Sequence, residues 1–134
     1  MDSVSKGIQS FFRADQADPL YVSLSGRLFP DMAPQGTPMP YCNMSFLSEI
    51  PSYDLDDLAT EGYMVQFDLY SEGGRQAERR ALELIRLFKN KFDNCTFPVI
   101  GYELVRFRRK MAHKIGEDGN KRIIFQYSAE IGEI

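Results

Sequence analysis

Few residues in this sequence are suited to acid–base, thiol or zinc chemistry: one histidine, His113, and two cysteines, Cys42 and Cys95. Zinc needs about four ligands, usually at close spacings, and these three residues are far apart in the chain. Cations at 108–110 and at Lys114 surround His113 and would repel a metal ion, so we interpret it as a solvated histidine at a strand end. The two cysteines fit a reducing compartment better than a disulfide framework, although a single bridge between them stays open.

Three other motifs are candidate sites for anions, calcium or paired carboxylates. The segment SEGGRQAE precedes a predicted helix but lacks the lysine and hydroxyl of a P-loop, so it is interpreted as a tight strand-to-helix turn. GEDGN lacks the acidic spacing of a calcium loop and predicts a hairpin turn. Asp54, Asp56 and Asp57 lie in a polar segment without the apolar surroundings of a general acid. We therefore expect no enzyme activity, no metal and no cofactor.

Length and composition indicate one ordinary globular domain spanning residues 1–134. The chain has 16 Lys and Arg against 19 Asp and Glu, a net charge of −3. Its length and its 43% hydrophobic residues are enough for a stable core without disulfides or a structural metal. It has no apolar stretch near the roughly 18–20 residues that span a bilayer, so we expect neither export nor membrane insertion. A pI of about 5.2 argues against a uniformly basic surface that binds nucleic acid, but it is compatible with local basic patches.

The first third of the chain predicts a helix and then a stiff loop. Ser3 is a candidate cap for a helix with apolar residues at helical spacing, and Asp18-Pro19 ends it; a short apolar run, 20–24, follows. Residues 26–41, GRLFPDMAPQGTPMPY, contain four prolines and cannot form a central strand. We expect an extended surface loop, which is either a connector packed on its own domain or an arm that binds a partner.

The remaining pattern predicts four strands and one long helix. Period-two alternation marks strands at 41–47 and 62–71, joined by a solvated acidic loop at 49–61. Apolar residues at helical spacing mark a helix at 75–92. A long C-terminal hairpin follows, with arms Val99 to Ala112 and Lys121 to Ile131. The predicted fold is α+β: an antiparallel-leaning four-stranded sheet with helices packed on one face.

Charge is segregated along the chain. Between Arg27 and Arg75 there are eight acids and no Lys or Arg, whereas residues 103–122 hold seven bases against three acids, a net of +4. Three interpretations stay open. Both regions could be merely solvated; the basic hairpin of one copy could meet the acidic side of the next in a ring; or the hairpin could face DNA and bind its phosphates without reading sequence.

The chain resembles the tail-completion or tail-terminator family of long-tailed bacteriophages and prophages. The resemblance is carried by the A-P-x-G-T-P-x-P-Y loop, here Ala33 to Tyr41, and by the later strand V-Q-x-D-x-aromatic, here Val65 to Tyr70, which an amphipathic helix follows. It extends from about Ile8 to Ala129. The basic stretch from Arg106 to Lys114 has no counterpart in the family's pattern, so its position at the channel or at a subunit boundary stays open.

The resemblance implies a virion structural protein without catalysis. Family members form rings, commonly hexameric, that cap the head-proximal end of the tail tube and give the DNA-filled head its docking surface. The implied partners are further copies of the chain, the major tail tube protein, a head-completion or connector protein, and DNA passing through the lumen; the implied location is the virion, after assembly in the host cytoplasm. The alternative is a small nucleic-acid-binding or small-molecule-binding α+β domain. By the same analogy the candidate contact residues are Pro34, Gln35, Gly36, Thr37, Pro38, Arg106, Arg108, Arg109 and Lys110.

Overall fold

Helices and a sheet form two layers in the computed structural model, which describes residues 2–53, 59–117 and 119–133. The described elements, in chain order, are α1 (Asp2–Ala14), α2 (Pro19–Leu24), β1 (Leu28–Pro30), β2 (Tyr41–Tyr53), β3 (Ala59–Ser71), α3 (Ala77–Phe92), β4 (Tyr102–Glu117) and β5 (Asn120–Glu133). The predicted α+β class, long helix and C-terminal hairpin are confirmed.

The sheet has five described strands in the order β1-β2-β3-β5-β4, and it is mixed. The prediction of four antiparallel-leaning strands is therefore wrong in number and in one direction. β2, β3, β5 and β4 are antiparallel neighbours, but β1 runs parallel to β2, with Leu28 opposite Cys42. β1 lies inside the proline-rich segment, and Pro30 is tolerated there because an edge strand needs backbone hydrogen bonds on one side only.

The acidic segment predicted as a loop at 49–61 is largely strand. β2 continues to Tyr53 and β3 begins at Ala59, and Glu49 stands opposite Tyr63 in an unbroken ladder. A bulge between Phe46 and Ser48 shifts the alternation just before this extension. Backbone pairing with a neighbouring strand has outweighed the polar side chains. Asp54, Asp56 and Asp57 lie outside the described residues.

The short apolar run at 20–24 is part of a helix, α2. The Asp18 side chain accepts a hydrogen bond from the Leu20 backbone N–H at 3.0 Å, and Pro19 occupies the first turn. Both features favour a helix start, because the free N–H groups gain an acceptor and proline has none to lose. The prediction that the first helix runs to Asp18-Pro19 is therefore wrong: α1 ends at Ala14, and Asp18-Pro19 begins α2.

An aromatic core joins the two layers on one face of the sheet. Phe88 of α3 stacks on Phe125 of β5 with ring centroids 4.1 Å apart, and it meets Phe67 of β3 edge-on at 5.0 Å. Phe11 of α1 contacts Phe92 at 5.8 Å. Aromatic pairs at such separations add to the burial of their area, so this face holds the layers together.

The turn before α3 touches the turn of the C-terminal hairpin. The Gly73 N–H donates to Asn120 Oδ1 at 2.9 Å, and a β-carbon at Gly73 would come within 1.6 Å of the Gly119 carbonyl oxygen. Only glycine permits this approach. The connection between β3 and α3 is therefore a tight turn, as predicted. Of the predicted hairpin turn GEDGN, Gly116 and Glu117 belong to β4 and Asn120 belongs to β5, while Asp118 lies outside the described residues.

Candidate interaction surface

The proline-rich loop between β1 and β2 is anchored at both ends by hydrogen bonds. The Asp31 N–H donates to the Met44 carbonyl at 2.7 Å, and the Ala33 N–H donates to Asn43 Oδ1 at 2.8 Å. At the other end, Arg27 Nε donates to the Pro40 carbonyl at 3.1 Å. The base of the loop therefore packs on its own domain, as the connector interpretation predicts.

The tip of this loop is a turn that projects from the domain. The Thr37 N–H donates to the Pro34 carbonyl at 3.2 Å, and Gly36 takes the positive φ of 85° that a type II turn needs at its third position. Four of the five predicted loop residues are exposed and Thr37 is half-buried. Met32, just before the turn, is 81% exposed. The tip can therefore meet a partner while the base stays fixed.

Arg109 on β4 is held inside the molecule. Its Nε donates to Asp93, 3.1 Å from Oδ1, just beyond the end of α3, and the Tyr127 hydroxyl donates to the same carboxylate at 2.5 Å. Burial raises the pKa of the Tyr127 phenol, and its hydrogen bond to Asp93 raises it further, so the hydroxyl remains a donor. These contacts fasten β4 to the helix layer and pair the half-buried Arg109 within the chain.

Other bases of the hairpin are also paired within the chain. Arg106 lies 3.4 Å from Glu130 across the β4–β5 ladder, and Arg122 lies 2.9 Å from Asp68 of β3. Lys114 and Lys121 both pair with Glu78 in the first turn of α3. The Arg122–Asp68 pair joins the basic segment to the acidic one in a single copy. The charge segregation in the sequence is thus partly cancelled by the fold.

Arg108 and Lys110 remain as exposed cations, and neither forms an ion pair within the described parts of the chain. Of the four basic residues predicted to make contacts, these two are exposed and have no ion-pair partner among the described residues, while Arg106 and Arg109 are paired. His113 is exposed, as predicted, but it lies within β4 rather than at its end.

The two predicted surfaces lie at opposite edges of the sheet. The proline-rich loop adjoins β1, and the basic residues lie on β4, with β2, β3 and β5 between them. Four steps of ~4.8 Å between neighbouring strands place the two edges about 19 Å apart. The fold does not bring the two residue sets together into one site; it presents them on two separate sides of the molecule.

A groove beside β1 was not predicted. It has a volume of about 280 Å³ and is lined by Asp2, Ser5, Pro30, Asp31, Met44 and Phe46. Its two carboxylates come from the start of α1 and from the proline-rich loop. Because these segments are distant in sequence and meet only after β1 pairs with β2, the groove could not be predicted from the sequence. Larger open grooves, of about 330 and 510 Å³, lie along α2 and α3.

The cysteines do not form a bridge. Both are free; Cys42 is buried in β2 and Cys95 is half-buried after α3. Burial raises the pKa of the Cys95 thiol to about 12 and raises that of Cys42 as well. Within the described ranges, no three His, Cys, Asp or Glu residues are grouped so that they could hold a metal ion. Among the described helices, none is long and apolar enough to cross a membrane.

Comparison with known proteins adds one finding. No protein-family model matches the chain, and no curated protein matches it either. A solved structure does, a chain of the "Virion of native gene transfer agent (GTA) particle", with a TM-score of 0.67 and 16% sequence identity. The two chains share one fold. The likeness covers 96% of this chain and 97% of that one.

Proposed function

We propose that this chain is a virion structural protein that caps the head-proximal end of a phage tail tube as an oligomeric ring and provides the docking surface for the DNA-filled head. The observation that carries the proposal is the likeness to a chain of a gene transfer agent virion over nearly the full length of both chains. The proline-rich loop motif supports the tail-terminator role in particular.

The positions of the two candidate surfaces support a ring. A closed ring is built from head-to-tail contacts, in which one patch of a subunit meets a different patch of the next. The proline-rich loop and the free cations of β4 lie at opposite edges of the sheet, as such a contact requires. The proposed partners are other copies of the chain, in a hexamer, the tail tube protein and the connector; no catalysis or cofactor is part of the proposal.

A second candidate, binding of DNA without sequence readout, is favoured by Arg108 and Lys110. Exposed cations without intramolecular partners are free to contact phosphates, and such contacts weaken steeply with salt. In a ring, this surface would face the DNA in the lumen.

The test is reconstitution with uncapped tail tubes. Purified tubes of the tail tube protein from the same genome are mixed with this chain and imaged by negative stain, and native mass spectrometry follows the subunit number. We expect a ring at one end of each tube and an end to further tube growth. Tubes that already carry a terminator are the control and should bind no additional ring. A chain that stays monomeric at all concentrations and never binds tubes contradicts the proposal.

A further inference from the structure

We propose that Arg108 and Lys110 of one copy bind the groove beside β1 of a second copy, with Asp31 as the main acidic contact. This inference rests on the proposed ring and names the surfaces that close it. It assigns to two exposed cations a partner that the sequence alone left open between another copy and DNA.

The cationic side of the contact is an edge that cannot readily add another strand. β4 is the outer strand of the sheet and carries bulges between Leu104 and Arg106 and between Arg109 and Met111. Bulges and charged side chains on an edge oppose backbone pairing with a further strand. A partner therefore meets β4 through side chains, and Arg108 and Lys110 are the ones left exposed and unpaired in the described part of the hairpin.

The acidic side combines a fixed carboxylate with exposed apolar surface. Asp31 is exposed, forms no ion pair among the described residues, and is held by the 2.7 Å hydrogen bond from its N–H to Met44. Among the described residues, Asp2 forms an ion pair with Lys6 alone, on the same helix, where both side chains are more than two-thirds exposed, so that pair is weak. Met32 is 81% exposed next to Asp31, and Phe46 lines the groove. Apolar area with a charged rim is the usual composition of a protein contact.

Charge also decides the orientation of the two copies. Two β4 edges placed together would set Arg108 and Lys110 against their equivalents, and like charges in contact are unfavourable. No Lys or Arg lies between Arg27 and Arg75. The cations beside β1 are engaged within the chain: Arg13 donates to the Gly26 and Leu28 carbonyls, and Arg27 donates to the Pro40 carbonyl. Because β1 and β4 are opposite edges, one such contact leaves the first copy with a free acidic edge and the second copy with a free cationic edge. The contact repeats until the ring closes.

Charge reversal and its compensation test the contact. The double variant Arg108→Glu/Lys110→Glu should weaken ring assembly on tubes by about tenfold or more, since close charge pairs at interfaces couple strongly. Asp31→Asn keeps a residue that accepts positive φ and should weaken it several-fold. Asp31→Lys added to the double variant should restore assembly in part, because Lys adopts the positive φ of 71° at this position less readily than Asp does. The matched control, Arg75→Glu/Arg79→Glu, reverses two exposed cations near the start of α3 and should assemble normally; urea unfolding verifies that all variants fold.

The outcomes separate this inference from the proposed function. If the wild-type chain caps tubes and the double variant caps them equally well, the inference is overturned and the tail-capping function stands. Loss of capping in the double variant, no effect of Asp31→Asn and no rescue by Asp31→Lys also overturn it; a parallel loss of salt-sensitive DNA binding would then assign Arg108 and Lys110 to phosphates. If the wild-type chain never caps tubes, the function and the inference fall together.

Discussion

The proline-rich loop beside β1 and the basic strand β4 were both predicted as contact surfaces, but they are held in place by different groups. Around the loop, backbone N–H and C=O groups bind the body of the protein, while the side chains at the tip stay exposed. β4 pairs with β5 through its backbone, and cationic side chains of β4 such as Arg109 also form ion pairs within the chain. A charged strand whose side chains form ion pairs within the chain therefore keeps fewer side chains free for a partner than its sequence suggests. A loop anchored by its backbone keeps nearly all of its side chains free.

The largest expected effect tests how firmly the hairpin that carries β4 is fixed to the helix layer. Gly73→Ala places a β-carbon where the Gly119 carbonyl oxygen lies, and backbone must move to make room. We expect a loss of about 3 kcal/mol or more in the free energy of unfolding, measured with urea. Gly74→Ala is the control: it meets open space and costs only its positive φ of 87°, about 1 kcal/mol. Equal losses in the two variants would show that the turns do not press together.

The next effect distinguishes Arg109 of β4, which is paired with Asp93, from the exposed Arg108. Asp93→Ala removes the acceptor shared by Arg109 and Tyr127 and leaves both donors unpaired, so we expect a loss of about 2–3 kcal/mol in urea unfolding. Arg108→Ala, on the neighbouring residue, should change stability by no more than about 0.5 kcal/mol. If the two variants lose similar amounts, Arg109 and Arg108 are not held differently.

The two cysteine thiols report how well the interior is closed to solvent behind each edge of the sheet. Cys42 lies in β2 behind the loop, and Cys95 lies close to Asp93 under β4; burial raises the pKa of both in the folded state. A thiol has an unfolded pKa of about 8.5, so above that pH the unfolded state loses a proton that the folded state keeps. The free energy of unfolding keeps its full value below about pH 8.5. Above that pH it falls by about 1.4 kcal/mol per pH unit for each thiol.

Single-cysteine variants measure the two sites separately. Cys95→Ala should remove one thiol's share of the alkaline loss between about pH 8.5 and 10. In the folded protein, alkylation of Cys95 should speed up about tenfold per pH unit toward its pKa of about 12, whereas fully buried Cys42 should react only on unfolding. Rapid alkylation of Cys42 at neutral pH would mean that the loop edge opens more readily than the β4 edge.

The smallest expected effect concerns the anchor of the loop. Asn43→Ala removes the acceptor of the Ala33 N–H, and we expect a loss of about 1 kcal/mol in urea unfolding together with faster proteolysis between residues 31 and 40. Ser45→Ala, two residues along the same face of β2, is the control and should change neither value by much. Unchanged proteolysis in Asn43→Ala would leave the other backbone contacts to hold the loop.

Long periodic segments were predictable, and short ones were not. The alternation at Val65, Phe67 and Leu69 and the helical spacing before Phe92 identified β3 and α3, because each pattern continues long enough to reveal its period. β1 has only three residues and α2 only six, so neither shows a period. The extension of β2 to Tyr53 was missed because strand pairing, not side-chain polarity, decided it.

The surface position of the proline-rich loop was predictable from its sequence, but the pairing of the basic residues was not. The sequence also predicted no strand order, so it did not show that the loop and β4 lie at the two edges of the sheet. That Arg109 is bound and Arg108 is free depends on Asp93, which lies in a different element, and on the register that places Arg109 opposite Tyr127. The groove beside β1 forms where three segments of the chain converge, and no sequence pattern predicts it.

By itself, the sequence determined which segments are amphipathic, where proline excludes a central strand, and where charges of one sign accumulate, because these properties depend on neighbours in the chain. The tertiary structure alone decided which charges remain available. Ion pairs such as Arg122 with Asp68 and Lys121 with Glu78 join residues that only the strand order and the packing of α3 bring within 4 Å. Coulombic attraction depends on that distance in space, and the order of residues along the chain does not specify it.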